Sequence, residues 1–326
     1  MADIQISKPE MLKILQELMK EKTVVAPASN GQKVDYLEVK EPSEILMNDE
    51  LPYKSPKEYF FPRCEKIITF KGDEVLEEKS SKETVLFGVK PCDLDALAIM
   101  KKVFTTGKFA DPFFEAHYEN TLLIGTNCAD KKQGCFCDRR ETDMAFSANC
   151  DVFLIDKGDN YQVAFVSEKG ANALKSYITG LEKSAAPENP SKDSADNLSI
   201  NAGENEVFEK VDWEDATATC QGCGMCTYIC PTCHCFVFKD VMENDEASRF
   251  RLWDSCMYPK FTLHASGHNP REERYERYRQ RVMHKYLYVK ENFDSVACTG
   301  CGRCIRSCPA GMNIKTVVEE IMEVFS

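Results

Sequence analysis

The chain has 326 residues, 43% of them hydrophobic and 29% charged, which is typical of a folded protein with about two domains. Its formal net charge of −12 argues against nucleic acid as a partner, because phosphate binding draws on a surplus of Lys and Arg. No apolar run is long enough for membrane insertion and the first residues lack the features of a secretory signal, so we expect a cytoplasmic protein with reduced thiols.

The first part of the chain alternates helical and strand patterns. Ser7 and Glu10 form a capping box before apolar residues at helical spacing, which predicts a helix over residues 8–22. Short apolar segments bounded by turn residues predict strands at 23–25, 36–39, 66–70, 85–89, 122–125 and 152–155. The turn sequence at 157–160 predicts a hairpin into residues 161–166. We therefore predict a mixed α/β domain over residues 1–183.

A change of composition marks the end of this domain. Residues 184–205 are rich in Ser, Ala, Pro, Asn, Asp and Glu and poor in large apolar side chains, a composition typical of an exposed linker. Residues 206–326 then form the second predicted domain.

Two copies of one cysteine pattern, C-x2-C-x2-C-x3-C-P, occupy this second domain. In this pattern three thiolates hold one [4Fe-4S] cube, and the fourth cysteine, before proline, ligates the neighbouring cube. The predicted ligands of the first cluster are Cys220, Cys223, Cys226 and Cys308. Those of the second cluster are Cys298, Cys301, Cys304 and Cys230.

Two alternative roles for these cysteines are less well supported. A structural zinc site, the usual alternative for paired CxxC motifs, needs only four soft ligands, fewer than the two runs provide. A disulfide framework is disfavoured because 17 cysteines is an odd number and no secretory start is present. Two [4Fe-4S] clusters are therefore the expected cofactors.

The long interval between the motifs has a mostly helical pattern. Over residues 271–290, aromatic and aliphatic side chains fall near one face and Arg and Lys crowd the rest, which predicts an amphipathic helix. We expect its apolar face to pack on the domain, with partner docking as a secondary role of the basic face. Asn313 caps a last predicted helix. These patterns favour an α+β chain whose second domain is a helical, ferredoxin-like two-cluster domain.

Four cysteines of the first domain form a further candidate set. Two of them follow predicted strands and two lie on the next loop, so their thiolates could converge on a third iron–sulfur cluster; they are Cys92, Cys128, Cys135 and Cys137. The alternative is that they are buried as small apolar groups.

Three more cysteines lie beside the second domain's first motif. Cys233, Cys235 and Cys256 either pack against the cluster pocket or bind an extra metal with His234. Packing is the favoured interpretation.

The two motifs differ between their second and third cysteines, where Met225 occupies the first and Arg303 the second. A nearby positive charge favours the reduced cluster, which predicts a higher potential for the second one. The alternative is that Arg303 points to solvent or to a partner.

Several sequence blocks together resemble one known family. They are Gly88–Asp93, Cys135–Cys137, Cys230–Phe236, Asp254–Met257 and Phe261–Pro270. From about Lys90 to its end the chain is similar to the anaerobic sulfite reductase A subunit and the β subunit of cytoplasmic sulfhydrogenases. This resemblance implies an electron-transfer subunit, with a separate flavoprotein subunit that uses NAD(P)H and a catalytic metal subunit as its partners.

The residues agree with such a division of labour. No G-x-G-x-x-G motif follows a strand and no Walker-type loop is present, so we expect flavin and NAD(P)H on a partner subunit. The predicted function is a non-catalytic iron–sulfur relay in a multi-subunit cytoplasmic oxidoreductase. The alternative is an iron–sulfur redox sensor, which an acidic chain fits poorly.

Overall fold

The computed structural model describes residues 4–77, 82–140, 142–178, 197–244 and 246–326. The elements of the first part are β1 (Gln5–Ser7), α1 (Lys8–Leu18), β2 (Thr23–Ser29), β3 (Val34–Val39), β4 (Cys64–Lys71), β5 (Glu74–Glu77), β6 (Thr84–Val89), α2 (Pro91–Thr105), α3 (Pro112–Glu119), β7 (Thr121–Thr126), β8 (Val152–Asp156), β9 (Asn160–Phe165) and α4 (Glu168–Leu174).

The second part is richer in helix. Its elements are α5 (Glu204–Lys210), α6 (Trp213–Ala216), α7 (Met225–Tyr228), β10 (Phe236–Glu243), β11 (Glu246–Trp253), α8 (Arg274–Met283), a π-helical segment (His284–Tyr288), α9 (Val289–Phe293), α10 (Arg303–Arg306) and α11 (Ile314–Val324). Together with the sheets of the first part, these elements confirm the predicted α+β class.

Seven of the described strands form one sheet, in the order β1-β9-β8-β7-β6-β2-β3. Its centre is parallel, from β2 through β6 and β7 to β8, and its edges are antiparallel. The central strands are buried on both faces, which explains their nearly continuous apolar sequences. All six strand segments predicted from the sequence are confirmed, five of them in this sheet. The capping box of α1 is also confirmed, although this helix ends at Leu18 instead of residue 22.

A second sheet connects the two parts of the chain. Its strand order is β10-β11-β4-β5, so a hairpin from the second part pairs with strands from the first. Ala247 lies opposite Phe70 and Leu252 opposite Cys64. The prediction of a mostly helical interval between the motifs is therefore wrong for residues 236–253. Asn244 takes the left-handed conformation in the turn, which suits a tight hairpin.

The predicted linker belongs only in part to the described residues. Residues 184–196 lie outside them, but Leu198 and Ile200 are buried in the core of the second part. The Leu198 amide donates a hydrogen bond to the Arg139 carbonyl over 2.8 Å. Leu198 and Ile200 are therefore packed, whereas Asn201, Gly203 and Asn205 are exposed. The domain division at residues 183 and 206 stays a prediction.

The core of the second part gathers apolar side chains from helices on both sides of the cysteine loops. It includes Trp213 from α6, Tyr278 and Val282 from α8, and Val318 and Ile321 from α11. Asn313 caps α11 as predicted, because its side chain accepts a hydrogen bond from the Lys315 amide. Within the described residues, no helix is long and apolar enough to cross a membrane.

Candidate iron–sulfur site

The two cysteine motifs adopt the same local structure. In each, a loop of closely spaced cysteines leads into a short helix, α7 or α10. Gly224 and Gly302 cap these helices at φ of 76° and 70°, a conformation that costs a residue with a Cβ but not glycine. The left-handed turn bends each loop so that its cysteines face a common cavity.

The first cavity is lined by all four predicted ligands of the first cluster. Cys220, Cys223 and Cys226 come from the first motif and Cys308 from the second. The Gly222 amide donates to the Cys220 sulfur over 3.4 Å, and the Met312 amide donates to the Cys308 sulfur over 3.3 Å. Backbone amides that donate to ligand sulfurs stabilise thiolate charge.

The second cavity collects the other predicted set. Cys298, Cys301 and Cys304 come from the second motif and Cys230 from the first. The Lys285 ammonium lies 3.1 Å from the Cys230 sulfur, so a positive charge touches this thiol directly. Cys304 lines both cavities. The structure thus brings the eight cysteines together in the predicted groups of four, with the fourth cysteine exchanged between motifs. Iron ligation by these thiols stays a prediction.

Buried positive charge between the cavities fits anionic clusters. Arg281 is only 2% exposed, lines both cavities, and has no partner for its Nε and Nη2 atoms among the described residues. Burial opposes its charge, yet the Cys226 and Cys304 thiols raise the pKa of Arg281 well above its usual value. A buried cation without a nearby anion destabilises a fold by roughly several kcal/mol. Thiolate-bound cubes would supply the missing negative charge.

The number of cysteines exceeds what one structural zinc ion needs. Four soft ligands complete a zinc site, whereas the two motifs together bring eight cysteines to two neighbouring cavities. In the described parts of the chain, no three His, Cys, Asp or Glu side chains are arranged to hold one metal ion.

The four cysteines of the third candidate set lie close to one another and to the second cavity. Cys92 is buried in the first turn of α2 near Cys128 and Cys301. Cys128 also lies near Cys135 and Cys137. The Cys135 thiol donates to the Cys301 carbonyl over 3.3 Å. Their proximity is compatible with both interpretations made from the sequence, and ligation by this set stays a prediction.

Arg303 is fully buried and points neither to solvent nor to a partner. Its guanidinium forms a bidentate ion pair with Asp93 of α2, with N–O distances of 2.5 and 2.8 Å, and both side chains are 0% exposed. Its Nε donates to the Pro52 carbonyl over 3.0 Å. Because Asp93 balances the charge, a smaller effect on the second cluster is expected than from a free cation. The difference in potential stays a prediction.

Of the basic side chains of α8 and the π-helical segment, Arg281 and Lys285 line the cavities. Arg277, Arg281 and Lys285 are buried. Arg277 donates to the Met257 carbonyl over 3.0 Å, and Lys285 donates to the Ala297 carbonyl over 2.9 Å. The predicted docking role is therefore wrong for these three residues. Their spacing of four residues is the signal that could have located them on one helical face.

Two interleaved four-cysteine cavities around a buried guanidinium define an iron–sulfur protein of the two-cluster type. Residues 219–312 match the family model of a 4Fe-4S dicluster domain. The sulfhydrogenase 2 subunit beta of Pyrococcus furiosus is 31% identical over 337 aligned residues, which cover 97% of this chain and 96% of that protein. The chain therefore belongs to the sulfhydrogenase β subunit family. No solved structure matched the chain.

These findings confirm three predictions made from the sequence: the family, the iron–sulfur class and the role in electron transfer. No finding favours the redox-sensor alternative.

Proposed function

We propose that this chain is the electron-transfer subunit of a multi-subunit cytoplasmic oxidoreductase of the hydrogenase or sulfite reductase type. It relays electrons between a subunit that binds FAD and NAD(P)H and a terminal catalytic subunit. The observation that carries the proposal is the exchange of Cys230 and Cys308 between the two cavities. The name of the Pyrococcus relative, which is a β subunit, supports a heteromeric complex.

Each cube would supply a one-electron redox couple, and the chain's own residues would set its properties. The eight cysteines named above would hold the two clusters, and Cys304, which lines both cavities, would keep them close together. Met257 and Tyr278 are buried side chains that line the first cavity. Arg281 and Lys285 place positive charge beside the thiolates, which favours the reduced clusters.

The test is anaerobic purification of the native complex with metal analysis, EPR spectroscopy and identification of the co-purifying chains. We expect at least about eight irons and about eight sulfides per copy of this chain, because two cubes contain that number. We also expect one flavoprotein subunit and one subunit with a catalytic metal centre. A metal-free chain, or a single chain that is fully active with its own flavin, would contradict the proposal.

A third cluster on Cys92, Cys128, Cys135 and Cys137 is part of the same proposal. Replacing Cys135 with Ser should lower the iron content by about four per chain, because one cube contains four irons. Cys64→Ser is the matched control, since Cys64 is an exposed cysteine at the start of β4. An iron content equal in both variants and the wild type would remove the third cluster and leave the other two in place.

A further inference from the structure

Three cysteines outside these sets meet at the open end of the β10–β11 hairpin. Phe236 and Trp253 are the last paired residues of its ladder, and the Asp254 amide extends the pairing with a hydrogen bond of 2.9 Å to the Cys235 carbonyl. Cys233 and Cys235 directly precede the first strand, and Cys256 follows the second. The end of the hairpin therefore holds Cys235 beside Asp254, two residues before Cys256.

The three thiols interact with one another electrostatically. Cys235 and Cys256 interact directly through their side chains, and Cys233 interacts with both Cys256 and Cys230. Cys230 is the first motif's contribution to the second cavity. The three thiols therefore form a cluster of soft ligands next to the second predicted iron–sulfur cluster, and neither cavity includes them.

A buried lysine faces the same cluster. Lys57 is 2% exposed, and its ammonium donates to the Cys233 carbonyl over 2.9 Å and lies 4.1 Å from the centre of the Trp253 ring. Within the described residues it has no carboxylate partner.

Lys57 differs from Arg281 and Lys285 in one respect. Those two side chains line the cavities of the predicted clusters, whereas Lys57 lines neither. A buried charge is retained when an anion balances it, since an unpaired one strongly destabilises the fold. The thiols nearest to Lys57 belong to Cys233, Cys235 and Cys230, so a centre bound by the three thiols would share the balancing of this charge with the second predicted cluster.

We propose that Cys233, Cys235 and Cys256 bind an additional iron–sulfur cluster, with Lys57 as the positive charge beside it. The contact with Cys230 places this cluster next to the second cavity, where it would extend the path for electrons. Three cysteines leave one iron for a different ligand, and His234, held through Nδ1 by the Thr232 carbonyl at 2.9 Å, is the candidate.

The test compares Cys235→Ser and Cys256→Ser with the wild type and the Cys64→Ser control, all purified anaerobically as the complete chain. Both variants should lose about four irons and about four sulfides per chain, and the control should lose none. The EPR signals of the two predicted clusters should persist in both variants. Unchanged iron in both variants, or loss of zinc instead of iron, would overturn the proposal. About eight irons in every variant would be consistent with the proposed function even if this additional cluster is absent. A metal-free wild type would contradict both the additional cluster and the proposed function.

Lys57→Met gives a second measurement that does not remove a ligand. If an anionic cluster is present, losing the positive charge should lower the midpoint potential of the additional EPR signal and lower the melting temperature. If no anion is present, the same change removes an unpaired buried charge and should raise the melting temperature. A higher melting temperature together with no additional EPR signal would overturn the proposal.

Discussion

The Asp93–Arg303 pair is the residue-scale contact that most directly links the first domain to a cluster motif. It joins the first turn of α2 to the second cluster loop in a fully buried environment. The Tyr36 hydroxyl adds a hydrogen bond of 3.2 Å to Asp93. Arg303 therefore acts as a structural link as well as a charge near Cys301.

Replacing Asp93 with Asn should destabilise the fold by about 3–5 kcal/mol, because it leaves the Arg303 guanidinium buried without its counter-ion. The free energy of unfolding, measured by denaturant titration, checks this. Asp138→Asn is the control; its partner is Lys131, both side chains are about half exposed, and we expect a loss of about 0–1 kcal/mol. Equal losses in the two variants would show that the buried pair contributes no more than an exposed one.

At this scale the sequence predicts which cysteines come together better than it predicts the side chains around them. The spacing of the cysteines is set by the cube, so the motif alone assigns Cys220 and Cys308 to one site. Asp93 could not be matched to Arg303, because 210 residues separate them and only the fold brings them together. The orientation of Arg281 was missed for a different reason: buried arginines are rare, and a solvated basic face is the ordinary expectation.

The loop at residues 134–137 packs closely on the second motif. The Phe136 amide donates to the Gly300 carbonyl over 2.8 Å. A Cβ at Gly302 would collide with the Gly134 carbonyl and lie 2.7 Å from the Cys135 nitrogen. Backbone lies against backbone here, so glycine is needed for space as well as for its positive φ.

Gly302→Ala should therefore destabilise the chain more than the strain of a positive φ alone, which costs about 1–3 kcal/mol. Gly311→Ala is the matched control, with a φ of 69° and nothing within 4 Å of the added methyl group. Thermal unfolding of the two variants measures the difference. If both variants melt at the same temperature, the loop does not restrict the size of the side chain at residue 302.

The prediction of helices and strands succeeded where the local pattern of apolar residues determines the secondary structure. The apolar segments of β6 and β7 are short and continuous because both faces of the central sheet are covered, and that pattern is visible in the sequence. The β10–β11 hairpin was missed because most of β10 is exposed and carries no alternation. Its pairing partner β4 lies far away in the chain, so tertiary pairing decided its structure.

The two parts of the molecule are joined by the second sheet and by contacts of the cluster loops with the first part. The Arg251 side chain of β11 is 2% exposed and forms ion pairs with Glu65 of β4 and Asp111, the cap of α3. The two predicted domains therefore share a buried polar contact as well as strand pairing. Composition alone predicts two separate units and carries no signal for this contact.

Removing iron with a chelator under anaerobic conditions should lower the melting temperature of the whole chain. Arg281 and Lys285 would then be buried without anions, which is strongly unfavourable. Calorimetry of the iron-loaded and iron-depleted protein checks this expectation. If the depleted protein melts at the same temperature or higher, these cations are not compensated by clusters.

The exchange of cysteines between the motifs has a consequence for the order of biosynthesis. The first cavity needs Cys308, which lies far downstream of Cys226, and the second needs Cys304. A nascent chain therefore exposes Cys220, Cys223 and Cys226 long before their last companion has been translated. Under the proposed ligation, iron delivery to either centre waits until the second motif has been synthesised, and a product terminated before that motif holds an incomplete ligand set for both centres.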